Sequence, residues 1–246
     1  MMKRLINLLK IDLNRRIKMP KQYQTILFDL DGTLVDTSPG IFKAIRHVEK
    51  VMGLAPIKKE EMRKFIGPPP VYSYQNFHHL TEEDAWKAKK IQHEYLIEGC
   101  KNGKVYPGII RLLKFLKEEN CHVATTTLKK ETSAHRVLSH FQLEEYMDTI
   151  VGLDAEETLT KADTISIALE RMGVSKDSAV LVGDSRYDGE GAIQAGVDFI
   201  PVTYGFGITD PEQVIDLNPV FCASNARELM LYFWSHIGKK EEGYPY

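Results

Sequence analysis

The chain of 246 residues carries 32 Lys and Arg against 34 Asp and Glu, a formal net charge of −2, with 43% hydrophobic and 27% charged residues. These are ordinary globular proportions for one large domain or a core with an insertion, and they give no electrostatic reason to expect a nucleic-acid partner. Cys100, Cys121 and Cys222 are widely spaced with no Cys-x-x-Cys pattern, so neither a disulfide framework nor a zinc site is indicated, and a reducing cytoplasm is the expected location.

Residues 1–22 read as an N-terminal extension. Lys3, Arg4, Lys10, Arg15, Arg16 and Lys18 face one acid, Asp12, among scattered Leu and Ile. The stretch lacks both a signal-peptide core and the roughly 20 apolar residues of a membrane span. An amphipathic surface helix is one reading. A frayed leader ahead of Met19-Pro20 is the blander one, and no membrane association is expected.

Thr25–Phe28 then reads as an apolar strand, running into Asp29-Leu30-Asp31-Gly32-Thr33-Leu34. In extended chain, residues i and i+2 project to one side, so Asp29 and Asp31 can converge on one ligand above the turn that Gly32 permits. Two acids on one centre repel unless a cation is present. An EF-hand loop shares Asp-x-Asp but needs Gly at its sixth position and Glu at its twelfth, where this chain has Leu34 and Gly40. Read alone, the stretch is equally an acidic turn closing a strand.

Residues 37–104 are rich in helix formers without convincing strand runs, and end at the turn signal Tyr106-Pro107-Gly108. Within them, Gly67-Pro68-Pro69-Pro70 is a stiff loop, with Arg63 and Lys64 nearby as candidates to meet an anion. His78-His79, Lys58-Lys59-Glu60-Glu61 and Lys87-Ala88-Lys89-Lys90 are expected on solvated surfaces.

From residue 105 strand and helix alternate. Expected helices are Ile109–Glu119, Glu131–Phe141, Ala162–Met172 and Gly189–Ala195. Expected strands are His122–Thr126, Thr149–Val151, Ala179–Val182 and Phe199–Val202. This alternation predicts a Rossmann-like α/β parallel sheet covered by helices on both faces. Ligands in such sheets bind beyond the carboxyl ends of strands, where Asp29, Thr127 and Asp184 would meet. The segment Gly183-Asp184-Ser185-Arg186-Tyr187-Asp188 follows an apolar strand, and a turn entering a helix would bring its two acids to one face. Taken by itself, it is also an ordinary helix N-cap. Lys161 opens a helix after Thr160, a place where lysine is usually solvated. Residues 239–246 read as a loose tail.

Asp29-Leu30-Asp31-Gly32-Thr33-Leu34-Val35-Asp36-Thr37, followed by Lys161 and then Gly183 to Asp188, resembles the haloacid dehalogenase-like (HAD) superfamily of phosphohydrolases over nearly everything after residue 22. The order of pieces is similar to that of phosphoglycolate phosphatase-like and bacterial 5′-nucleotidase-like members. The resemblance implies a HAD core over residues 23–36 and 105–238, with a helical cap over residues 37–104. It implies an aspartyl-phosphate on Asp29, with Asp31 as general acid and Lys161 neutralising nucleophile and phosphoryl group. Thr127 would hydrogen-bond a phosphoryl oxygen, with Thr126 as the alternative. Leu128 stands where relatives carry a small polar residue, so a phosphate contact there would fall to backbone. The resemblance further implies Mg²⁺ held by Asp29, Asp31 through its backbone carbonyl, Asp184 and Asp188, and substrate contacts from Gly32, Gly67 and Arg63. The expected substrate is a small phosphorylated metabolite, such as phosphoglycolate or a nucleoside 5′-monophosphate, and the protein a monomer or homodimer. A phosphoglucomutase-like isomerase or a non-catalytic binding protein on the same fold are the alternatives.

Overall fold

β1 (Thr25–Phe28) is buried along its whole length, because it is the central strand of a five-stranded sheet ordered β5-β4-β1-β6-β7. The other strands are β4 (His122–Lys130), β5 (Thr149–Leu153), β6 (Ala179–Gly183) and β7 (Asp198–Pro201), all parallel. The computed structural model describes residues 21–66, 68–99, 102–154 and 158–237. The extension up to residue 20, the tail from 239 and Gly67 therefore lie outside the described residues.

Side chains alternate across the sheet as strand geometry requires. Ile26, Phe28, Val123, Val180 and Val182 pack into one core with α5 (Ile109–Glu118), α6 (Glu131–His140) and α9 (Ala226–His236). Leu27, Ala124, Leu181 and Phe199 pack into a second with α7 (Lys161–Met172) and α8 (Arg186–Ala195). With both faces covered, β6 reads as a continuous apolar run and β1 as one after Thr25, whereas β4 buries Thr125, Thr126 and Thr127 behind Val123 and Ala124. Helix α9 was not among the expected elements. Its Leu229 and Phe233 complete the first core, and its end is joined to Tyr23, whose N–H donates to the His236 carbonyl at 2.6 Å.

The expected helical insertion holds α1 (Ser38–Met52), α2 (Lys59–Met62), α3 (Pro70–His78) and α4 (Glu82–Gly99). A two-residue pairing not expected from the sequence, β2 (Val35–Asp36) with antiparallel β3 (Lys104–Val105), clamps its two ends together. The insertion has its own core, built on Ile45, Val48, Phe65, Tyr74, Ala85 and Ala88.

His78 corrects a surface expectation, since its side chain is only 3% exposed. It stacks on Tyr74 and lies 3.5 Å from Glu49. Glu49 is itself buried in α1, accepting from the Ile57 N–H at 2.9 Å and pairing with Arg46 at 2.7 Å. It thus ties α1 to the loop that follows it. The segment around Lys89 is also no simple exposed face, because Ala88 is fully buried beneath it. Glu49→Leu leaves the Ile57 N–H without its acceptor and Arg46 without its carboxylate, though Arg46 keeps the Ile57 carbonyl, and is expected to lower stability by about 3 kcal/mol in urea unfolding. An unchanged midpoint would refute the linking role.

Candidate active site

Asp29 and Asp184 directly follow β1 and β6, Thr127 lies in the carboxyl-terminal half of β4 beside them, and the three line one cavity of about 300 Å³. Asp29 is fixed by its N–H, which continues the β1–β6 ladder to the Val182 carbonyl at 2.9 Å. Beneath it lies Lys161, a buried lysine whose Nζ is 2.7 Å from Asp29 Oδ1, 2.6 Å from Asp188 Oδ1 and 2.6 Å from the Thr126 carbonyl. The expectation that a lysine at a helix start is solvated therefore does not describe this one. Thr160 and Asp163 form a capping box that sets the start of α7, and so aims its first residue inward.

Asp188 caps its helix and also meets the buried lysine. Its Oδ2 accepts from the Ser185 N–H at 3.0 Å and hydroxyl at 2.6 Å, closing the capping box of α8, while Oδ1 meets Lys161. Asp184 Oδ2 accepts from the Phe206 N–H at 2.6 Å and the Gly207 N–H at 3.3 Å. The loop after β7 thus belongs to the site, although sequence reasoning passed over it. Its signal was the Gly205-Phe206-Gly207 turn directly following a strand.

Asp29, Asp184 and Asp188 are all buried, and each offers an oxygen within 4.8 Å of the others. Burial pushes the Asp29 carboxyl up, Lys161 pulls it back and Asp188 adds repulsion, leaving it at about 7. Burial, with the charges of Asp188 and Asp29, raises Asp184 well above the usual carboxylate range. Burial would depress the Lys161 ammonium, but Asp188 and Asp29 outweigh it and the net shift is upward. Three carboxylates sharing one ammonium make a centre short of positive charge. A hard divalent cation such as Mg²⁺ fits it, since the cluster offers only carboxylate oxygens.

Asp31 lines the same cavity but stands apart from this cluster, so its side chain is not placed as a fourth ligand. Its Oδ2 pairs with Lys129 at 2.7 Å, a partner that sequence reasoning missed, and its Oδ1 is buried without one. Strand β4 extends beyond the expected Thr126 to Lys130, with a register irregularity between those residues. Of the two threonines, Thr127 lines the cavity and its Oγ1 accepts from the Lys129 N–H at 3.2 Å. The Thr126 hydroxyl is buried, unpartnered and away from the cavity, so Thr126 contributes its carbonyl instead. Leu128 lines the cavity, as do Pro68, Pro69 and Pro70. Arg63 is exposed and is not among the residues lining the cavity. Lys89 lines the cavity from α4.

Gly32 is likewise not a lining residue. It has φ +93, and a Cβ there would sit 2.2 Å from Asp184 Oδ2, so the glycine lets the first motif nest against the second. Gly32→Ala is expected to cost at least about 2 kcal/mol of stability by chemical denaturation, from the left-handed backbone and the displaced carboxylate together. A loss within about 0.5 kcal/mol, the range of an ordinary surface change, would contradict this account.

Comparison with known proteins agrees with this geometry. The sequence profile of the family described as haloacid dehalogenase-like hydrolase matches residues 26–202. The chain is 30% identical over 198 residues to the protein named tyrosine-protein kinase PtkA of Mycobacterium tuberculosis, covering 80% of this chain and 68% of that protein. It is 30% identical over 191 residues to a protein named 5′-nucleotidase of Pseudomonas aeruginosa, covering 77% and 86%. The crystal structure of a predicted phosphatase from Clostridium acetobutylicum superposes with a TM-score of 0.80 at 33% identity, covering 87% of this chain and 99% of that one. With a parallel sheet, an inserted helical cap and acids gathered at the strand ends, the chain belongs to the haloacid dehalogenase-like hydrolase family and is one of its phosphatases.

Proposed function

We propose that this phosphatase is a Mg²⁺-dependent phosphomonoesterase, acting on a small phosphorylated metabolite through an aspartyl-phosphate on Asp29. The observation that carries the reading is the Asp29 carboxylate itself, at the end of the central strand, facing the cavity with Lys161 on its Oδ1. A phosphate ester entering the cavity meets this carboxylate first. An Asp29 oxygen attacks phosphorus, and the bond to the leaving oxygen breaks. Asp31, on the same cavity wall, gives that oxygen its proton, exchanging its Lys129 partner for the leaving group. Asp31 then takes a proton from the water that attacks phosphorus, which releases phosphate and restores Asp29. Thr127 and Lys161 hold the phosphoryl oxygens as charge moves onto them.

In this reading Asp29, Asp184 and the Asp31 carbonyl would hold Mg²⁺, with Asp188 of the same acidic cluster supporting it, and the ion would supply positive charge for the phosphoryl oxygens. Residues 37–104 act as the cap, closing over the cavity to exclude bulk water. A nucleoside 5′-monophosphate and phosphoglycolate remain the leading examples of substrate. The isomerase alternative is not favoured by the similar proteins named above.

Phosphate release from a panel of nucleotides, sugar phosphates, phosphoglycolate and pyrophosphate tests the chemistry. Asp29→Asn is expected to lower kcat by at least about 10³-fold, the scale of removing a covalent nucleophile. Acid-quenched wild-type protein should carry a hydroxylamine-labile phosphoryl group that the variant lacks. Turnover surviving in the variant would refute the covalent route.

The cation is tested separately by melting. Saturating Mg²⁺ should raise Tm by about 5 °C or more over EDTA, because it binds only the folded cluster. The increase should vanish in Asp184→Asn. Identical melting in Mg²⁺ and EDTA would count against the cation site.

A further inference from the structure

Two polar side chains that line the catalytic cavity each have an oxygen with nothing to bond. Gln92, on α4, is 6% exposed and its Oε1 has no partner. Thr37, just before α1, is 8% exposed and its Oγ1 is also unpartnered, although it sits where a helix-capping hydroxyl would bond. Both line the catalytic cavity. A buried amide or hydroxyl without a hydrogen bond is costly, and such groups in folded proteins nearly always have a partner. Apolar residues lining the same cavity, Ile41, Phe65, Ile66 and Leu96, offer them none.

The acids of the site follow β1 and β6 or sit on α8, whereas Gln92 and Thr37 belong to the helical insertion. The transferring phosphoryl group is bound at the acids. The portion of substrate that reaches the helical wall is therefore the leaving alcohol. A hydroxyl both donates and accepts, so it can satisfy the Gln92 amide in either orientation and the Thr37 hydroxyl as well. A carboxylate or phosphate has no proton to give the amide oxygen. A purely apolar leaving group would leave both groups unpaired.

We propose that Gln92 and Thr37 form a leaving-group subsite that selects phosphate esters whose alcohol carries further hydroxyls. This rests on the phosphomonoesterase reading and adds the substrate class to it. Discrimination arises because an analogue lacking the hydroxyl strands buried polar groups, a stronger rejection than a missing methylene provides.

Glycerol 3-phosphate and propyl phosphate make the test pair, equal in charge and carbon count and different only in two hydroxyls. With wild-type protein and Mg²⁺, kcat/KM is expected to favour glycerol 3-phosphate by about tenfold or more. In Gln92→Leu and in Thr37→Val the ratio should fall towards one. Tm should hold or rise in both, since an apolar isostere removes an unsatisfied group. A ratio unchanged in both variants, or no preference in the wild type, overturns the subsite. A fall in Tm with equal losses on both esters would assign these residues to the fold instead. Tm shifts produced by each ester are read in parallel. If neither ester turns over, the phosphomonoesterase reading fails for this class of substrate. The subsite then stands or falls on whether glycerol 3-phosphate gives the larger shift and Gln92→Leu removes the difference.

Discussion

The Lys161 ammonium is the hub on which the site depends. Buried among Asp29, Asp188 and the Thr126 carbonyl, it joins β1, α8 and β4 at one point. A buried charge is tolerable only when paired and hydrogen-bonded, and removing one partner of such a pair typically costs about 3–5 kcal/mol. The surrounding backbone is shaped to admit it. Gly191 on α8 leaves room for the lysine stem, since a Cβ there would come within 2.6 Å of Lys161 Cγ. Helices α7 and α8 can then approach closely enough for Lys161 and Asp188 to touch.

Helix capping and proposed chemistry use the same residues. The Thr160 and Asp163 box orients Lys161, and the Ser185 and Asp188 box fixes Asp188 beside it. A cation at the first turn of a helix opposes the helix dipole. Two aspartates compensate it here, whereas a surface lysine would have only solvent. The same local economy holds for Gly32, whose left-handed turn ends the first motif and makes room for Asp184 of the second. Such conflicts with local preference mark places where tertiary contacts, rather than propensity, decide the residue.

The cavity is divided by chemistry. Its floor gathers acids and the buried lysine, where burial raises Asp29 and Asp184. The helical insertion contributes a mostly apolar wall with Gln92 and Thr37 set into it, together with Lys89 and His93. The β2–β3 pairing holds the two ends of the insertion beside the chain that leaves Asp31.

By itself the sequence determined the layered fold and the principal acids. Strands buried on both faces must be short apolar runs, and their spacing by amphipathic helices allowed only a parallel sheet. Alternation put Asp29 and Asp184 after strands, resemblance to the family singled them out as site residues, and the strand order that makes β1 and β6 neighbours came from the structure. Helix α9 was less legible, because its Leu229 and Phe233 serve a core assembled from distant strands. Tertiary structure also decided which oxygen of each acid faced which partner. Thr127 was already the favoured threonine by its resemblance to the family, and the structure adds that it lines the cavity while Thr126 turns its carbonyl to Lys161. Lys129, the Phe206 loop, the buried His78 and the unpartnered Gln92 emerged only when segments far apart in the chain were packed together. Burial and hydrogen-bond satisfaction are properties of that packing, and no local pattern encodes them.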